Sequence, residues 1–269
     1  MPVPPSAFPA SALPVSPPAV VSALRAAGCV FAEDEAELIL ATARSGPDVT
    51  AMVARRVAGH PLEQVLGWAS FHGLRITVEP GVFVPRRRTE FLVDRALALA
   101  PDARVVVDLC CGSGALGAAL AAALDGAEVH AADIDPAAVR CARRNLAAHG
   151  GRAHQGDLYE ALPGALRGRV DVLTANVPYV PTGEVPLLPA EARDHEPLAA
   201  LDGGADGLDV LRRVAAGAPG WLAPGGRLLT ETGEHQTAAA LEILTAAGLS
   251  SHLAVSDEGY AHVVIGVRT

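Results

Sequence analysis

Two short stretches of this 269-residue chain combine residue types and spacings that suit chemistry, and two carboxylates stand between them. The first stretch, Asp108-Leu-Cys-Cys-Gly-Ser-Gly-Ala-Leu-Gly117, sets glycines at 112, 114 and 117 directly behind an apolar run. Glycine tolerates a sharp turn and lets a ligand approach the backbone closely. The helix expected to follow offers free N–H groups to electronegative atoms. Asp133 and Asp157 each close a further predicted strand. The second stretch is Asn176-Val177-Pro178-Tyr179, which also follows a strand-like run.

The glycine spacing satisfies GxGxxG, a weak pattern by itself that admits a dinucleotide site. Asp133 suits ribose hydroxyls, which NAD and S-adenosylmethionine (SAM) share. Asp108 lies within the turn, where an acidic group can meet an ammonium, and SAM carries one while NAD does not. Asp157 suits an adenine amino group. A plain reading makes this a tight turn holding nothing, with the carboxylates capping helices. Three carboxylates behind successive strands at one sheet edge favour a SAM site. Cys110 and Cys111 read as small residues filling a tight loop in preference to redox thiols.

The Asn-x-Pro-Tyr segment has a bland reading as a turn after a strand. Its chemical reading is specific. An amide nitrogen is a poor nucleophile because its lone pair is delocalised into the carbonyl. A catalyst must aim that lone pair at the methyl donor and stabilise the positive charge that grows on nitrogen. The side-chain oxygen of Asn176 and the main-chain carbonyl of Val177 supply two acceptors. Tyr179 offers a face to a planar amide, and Pro178 fixes the turn. The rest is positioning and electrostatics, with no need for a metal or a strong base.

The elements that must position these residues follow from periodicity. Residues 1–16 are Pro/Ala-rich and read as a disordered tail. Apolar residues at three- and four-residue spacing predict helices over 18–27, 33–44 and 48–58, stopped at Gly28, Gly46 and Gly59. Alternation over 71–84 predicts a β-hairpin turning at Pro80-Gly81. Strands are expected over 104–109, 128–133, before 157, and over 170–175 and 226–232. Helices are expected over 114–124, 136–149, 206–218 and 236–247. Strands 250–256 and 260–267 lie too close together for a crossover, so they must be antiparallel. The expected fold is α/β: a Rossmann-like sheet, mostly parallel with an antiparallel C-terminal hairpin, preceded by a small helical domain. The domain plan is a tail at 1–16, a helical substrate-recognition domain at 17–70, a hairpin linker at 71–86 and a SAM-dependent methyltransferase domain at 87–269.

With these motifs in order, the chain resembles the HemK-type protein-(glutamine-N5) methyltransferases, which act on translation proteins such as peptide release factors. The likeness runs from about Pro17 to the end. It includes Val84-Pro85-Arg86-Arg87-Arg88-Thr89-Glu90, similar to the family's PRPxTE segment, and the glycine loop. It also includes Glu196-Pro197-Leu198, Asp202-Gly203-Gly204-x-Asp206-Gly207, Pro224-Gly225-Gly226 and Glu231-x-Gly233. The resemblance implies that Asn176, Val177, Pro178 and Tyr179 take a glutamine side chain. It implies that Asp108, Gly112, Gly114, Asp133 and Asp157 take SAM, with Cys110, Ile134, Leu158 and Asn176 completing the cofactor's surroundings. The chain departs from the family where its NPPY becomes Asn-Val-Pro-Tyr, as in a sister branch of N-x-P-Y variants. Arg87 replaces a proline, and the ending around 257–260 differs. Valine at 177 leaves the carbonyl in place. The implied partner is a protein with an exposed glutamine, a release factor or another translation protein.

Composition narrows the classes. With 30 acidic residues against 21 basic ones, net charge is -9. Nucleic-acid binding depends on neutralising phosphates, so such a partner is disfavoured, although Arg86-Arg87-Arg88 offers a local patch. Four cysteines without a CxxC pair read as reduced thiols in a cytoplasmic protein. Prolines interrupt every apolar run near the N-terminus, so neither a signal peptide nor a membrane anchor is expected. Two alternatives remain at this stage: a methyltransferase acting on a base amino group, which presents a similar geometry, and a non-enzymatic SAM-binding protein.

Overall fold

A computed structural model describes residues 16–269; the tail expected at 1–16 lies outside them except for Ser16. The chain forms two compact units, one ending at Leu66 and one spanning Gly67–Thr269.

The first unit contains α1 (Pro17–Ala26), α2 (Ala32–Thr42), α3 (Gly46–Val57) and a short α4 (Leu62–Leu66). The three longer helices match the expected segments to within two residues. Local chemistry explains the start of α3: the Ser45 hydroxyl accepts from the Asp48 amide at 3.3 Å, and Pro47 sits in the first turn. Arg56 on α3 reaches Glu35 on α2 through two hydrogen bonds of 2.6 and 3.0 Å, both side chains buried. This forked pair satisfies charges that would otherwise be costly to bury.

The second unit opens with a hairpin of β1 (Trp68–Phe71) and β2 (Leu74–Thr77). It turns at His72-Gly73 and not at Pro80-Gly81, which corrects the expected position. Both turn residues have positive φ, 48° and 74°, as a tight two-residue hairpin requires. The chain does turn again at Glu79–Val82, where the Val82 amide donates to the Glu79 carbonyl. The strand-like residues beyond that turn do not pair back, because the Val84 amide donates to Glu196 at 3.1 Å.

Then come α5 (Glu90–Leu99), β3 (Val105–Leu109), α6 (Ala115–Ala123), β4 (Glu128–Asp133), α7 (Pro136–Ala147), β5 (Arg152–Gln155) and β6 (Val170–Ala175). They are followed by a short α8 (Ala190–His195), α9 (Asp209–Trp221), β7 (Leu222–Thr232), α10 (Thr237–Ala246), β8 (Ser250–Val255) and β9 (His262–Val267). The sequence reading leaves out α5, although Leu92, Val93 and Ala96 mark a buried stripe at helical spacing. Strand β7 begins four residues earlier than expected because Leu222 pairs with Val170 of β6 ahead of an irregularity in the register.

The seven strands run in the order β5-β4-β3-β6-β7-β9-β8. The first five are parallel, and β9 is antiparallel to both of its neighbours, as expected for the C-terminal hairpin. Cores lie on both faces. Val106 packs with α5, α6 and α7 residues such as Leu92, Leu120 and Leu146, while Val105, Val107 and Leu109 pack with Leu211, Val214 and Leu244 of α9 and α10. Alternation along β3 divides those valines between the two faces. Strand order reverses between β3 and β6, so a crevice is expected at their carboxyl ends.

Candidate active site

The glycine loop leaves β3 at that crevice. Cys110, Gly112 and Gly114 all have positive φ, 53°, 52° and 77°, so the loop makes a succession of left-handed turns. At Gly114, just before α6, a Cβ would stand 2.8 Å from that of Ala142 on α7, so only glycine allows this close approach. Asn145 on α7 ties the loop to the hairpin. Its side chain donates to Ser113 O at 2.8 Å and Thr77 O at 2.9 Å, and accepts from the Thr77 amide at 2.8 Å.

A cavity of about 760 Å³ opens against this loop. Of the residues expected to hold the cofactor, Cys110, Gly112, Asp133, Ile134, Asp157, Leu158 and Asn176 line it. Asp133 accepts from the amides of Gly112 at 2.8 Å and Asp135 at 2.9 Å, one on each oxygen. Each oxygen keeps a lone pair for a hydroxyl donor. Burial raises its pKa, against the pull of those amides. Ile134 is 60% exposed, an apolar side chain turned out at the cavity wall. The Asp157 Oδ2 accepts from Arg213 on α9 at 2.6 Å.

Asp108 and Gly114, also expected at the cofactor, do not line this cavity. Asp108 shares the Val106 face of β3 and is fully buried, where it accepts from Thr174 Oγ1 at 3.0 Å and the Gly117 amide at 3.0 Å. Burial pushes its carboxyl up to about 7. It anchors the loop from below. Burial also raises the Cys110 and Cys111 thiols well above their usual range, in keeping with loop-filling residues.

The Asn176–Tyr179 segment follows β6 and lines the same cavity. The Asn176 Oδ1 is buried and, among the described residues, accepts no hydrogen bond. A buried acceptor without a donor is unfavourable by about 1–3 kcal/mol, so the atom points to a ligand that donates. Val177 does more than the sequence suggests: its side chain is buried in the α9 and α10 core. The Tyr179 hydroxyl accepts from Arg88 and donates to Glu231 at 3.1 Å, while burial pushes its pKa up to about 12.

Sequence reasoning missed several wall residues. Phe71 and Phe83 come from the hairpin and the segment after it, and Arg213 comes from α9. Arg86 stacks over Phe83 at 4.7 Å and ion-pairs with the buried Glu196 at 2.5 Å. Only the conspicuous Glu196-Pro197-Leu198 motif hinted at this arrangement. Among the described residues, no cluster of His, Cys, Asp or Glu is arranged to hold a metal, and no helix is long and apolar enough to cross a membrane.

The volume, the carboxylates and the apolar wall suit a nucleoside-bearing ligand such as SAM, and the unpartnered Asn176 oxygen suits an acceptor that brings N–H groups. Comparisons with known proteins agree. The methyltransferase small domain family matches residues 73–187. A release factor glutamine methyltransferase from Geobacter sulfurreducens is 39% identical over 219 residues, covering 81% of this chain and 76% of the relative. A Streptomyces pristinaespiralis enzyme named 4-amino-L-phenylalanine/4-methylamino-L-phenylalanine methyltransferase is 39% identical over 207 residues, 74% of this chain and 70% of the relative. Among solved structures, a Pyrococcus furiosus methyltransferase superposes with a TM-score of 0.53 at 19% identity, over 80% of this chain and 96% of that one, a likeness of fold.

Proposed function

The chain belongs to the family of the release factor glutamine methyltransferases, and from that premise we propose that it methylates the side-chain amide nitrogen of a glutamine in a translation protein, a peptide release factor first among the candidates. It is a SAM-dependent methyltransferase. The observation that supports the acceptor chemistry best is the buried, unpartnered Oδ1 of Asn176 at the wall of the cavity.

SAM, when bound, supplies a methyl group on a sulfonium, a good leaving group that departs as a neutral thioether. The chain's own residues do the remaining work. Asp133 takes the ribose hydroxyls, and Asp157 takes the adenine amino group through the oxygen that Arg213 leaves open. Ile134 and Leu158 flank the base, while Cys110 and Gly112 line the loop. Asp108 and Gly114 support these groups from behind. Asn176 Oδ1 and the Val177 carbonyl accept the two amide hydrogens, which turns the nitrogen lone pair toward the methyl group. They also stabilise the charge that develops on nitrogen, and one proton then leaves to solvent. Pro178 holds the turn and Tyr179 offers its face to the amide plane. The helical unit before Leu66 is assigned to recognition of the protein substrate. A translation protein as substrate places the reaction in the cytoplasm.

The test is transfer from methyl-labelled SAM to purified release factors, ribosomal proteins and RNA from the same source, with Asn176→Ala as control. Label on a glutamine, reduced at least about 100-fold in the variant, is the expected result. Label in RNA, or only in a small aromatic amine, would replace this reading.

A further inference from the structure

Three conspicuous sequence segments, 84–90, 202–207 and 231–236, contribute none of the carboxylates assigned to the cofactor, yet all three converge on Tyr179. The tyrosine hydroxyl donates to Glu231 Oε1 at 3.1 Å and accepts from the Arg88 guanidinium, whose Nε donates to that same oxygen at 2.8 Å. The other Glu231 oxygen accepts from Thr89 Oγ1 at 2.6 Å. The Glu231 side chain is 3% exposed. The Arg88 side chain is 45% exposed, so Glu231 is a buried carboxylate whose oxygens are taken up by a half-exposed guanidinium, the tyrosine hydroxyl and Thr89.

The main chain of the same tyrosine is also gripped. Gln236 Nε2 donates to the Tyr179 carbonyl at 2.9 Å and to Asp206 O at 3.0 Å, and Gln236 Oε1 accepts from the Gly233 amide at 3.2 Å. Gly207 has a φ of 78°, and a Cβ there would lie 2.2 Å from the Tyr179 carbonyl oxygen. The 202–207 loop is therefore pressed onto the tyrosine backbone, and Val180 accepts from its Gly203 amide while donating to Leu201 O just before it.

We propose that Glu231 is a positioning residue for the acceptor: with Arg88 it holds the Tyr179 hydroxyl and so fixes the ring against which the substrate's planar amide stacks beside Asn176. This rests on the glutamine-methylating reading and extends it to how the acceptor is oriented. A ring fixed before binding loses no rotamer freedom when the substrate arrives, so the benefit falls on acceptor binding and leaves SAM binding untouched. Tyr179→Phe removes the hydroxyl and leaves Glu231 with Arg88 and Thr89. Glu231→Gln keeps the shape and removes the charge.

The experiment measures kcat and KM for a purified release factor from the same source, with SAM affinity by calorimetry, in the two variants, their combination and Asn176→Ala. Each single variant is expected to raise the acceptor KM about tenfold with SAM affinity held within about twofold, and the combination to be no worse than the worse single variant. Effects that multiply in the combination, a parallel loss of SAM affinity, or a lowered melting temperature with unchanged KM would each overturn the proposal. If Glu231→Gln does not fold, Tyr179→Phe decides alone, and an unchanged KM overturns it. No transfer to glutamine by the parent protein would instead sink the functional reading itself, and full transfer by Asn176→Ala would remove only the role assigned to Asn176.

Discussion

The carboxylate of Asp108 and the amide of Gly117 meet at 3.0 Å beneath the glycine loop, where the chain passes from β3 to α6. A Cβ at 117 would sit in contact with Asp108 Oδ2 and Leu146 Cδ2, each at 3.4 Å, so the space there is filled but not overfull. Buried between Thr174 and Gly117, Asp108 is a strut that holds the glycine loop from beneath.

That strut should show in the dependence of stability on pH. Burial raises the Asp108 carboxyl from an ordinary value of 3.8 to about 7 in the folded protein. The folded state therefore binds this proton more tightly than the unfolded state between those values. Its contribution favours folding at low pH and is lost as pH rises through about 7. Asp108→Asn, neutral throughout, is expected to flatten the fall in melting temperature between about pH 4 and about pH 7. An unchanged profile would mean that the carboxylate stays ionised in the fold.

Two glycines of the loop should respond differently to alanine. Gly114→Ala forces a side chain into a positive φ and against Ala142, at 2.8 Å from its Cβ. We expect a loss of about 1–3 kcal/mol in stability together with weaker SAM binding. At Gly112 the nearest atom to an added Cβ is that of Phe83 at 3.8 Å, so there is room, and the methyl would face the cavity. Gly112→Ala should lower SAM affinity with the smaller stability change. Calorimetry and thermal melts on both variants separate the two cases.

Val177 divides chemistry from packing. Its carbonyl is assigned to the acceptor, while its side chain is 2% exposed within the core of α9 and α10. Val177→Ala keeps the carbonyl and opens a small void, so stability should fall by about 2 kcal/mol with turnover per folded molecule nearly unchanged. Denaturant unfolding and single-turnover transfer read the two quantities separately. A collapse of turnover at full stability would give the side chain a direct role.

Asp157 and Arg213 form a half-exposed pair, at 38% and 57% side-chain exposure. Such pairs contribute about 0–1 kcal/mol, so Arg213→Met should hardly move the melting temperature. Asp157→Ala, by contrast, removes the acceptor assigned to the adenine amino group and should weaken SAM binding at least about tenfold. Equal SAM affinity in Asp157→Ala and the parent would remove Asp157 from the cofactor site.

By itself the sequence determined the parallel sheet and its antiparallel end, because strand and helix periods are local and short connections leave few topologies. It also marked the glycine loop, the carboxylates behind successive strands and the Asn-x-Pro-Tyr turn, because each needs particular residue types at adjacent positions. Tertiary structure alone decided which carboxylates face the cavity. Asp133 and Asp157 line it while Asp108 lies beneath the loop, and burial depends on what α6 covers, not on the residue's neighbours in sequence. The hairpin turn, the hold of Glu196 on Val84 and the grip of Arg88, Glu231 and Gln236 on Tyr179 were likewise decided in three dimensions. Their partners stand 52 to 143 positions apart, except at His72-Gly73, where a local signal was outweighed by the stronger Pro-Gly pair. Spacing of that length leaves no periodic trace, since only the packed sheet brings such residues within reach of one another.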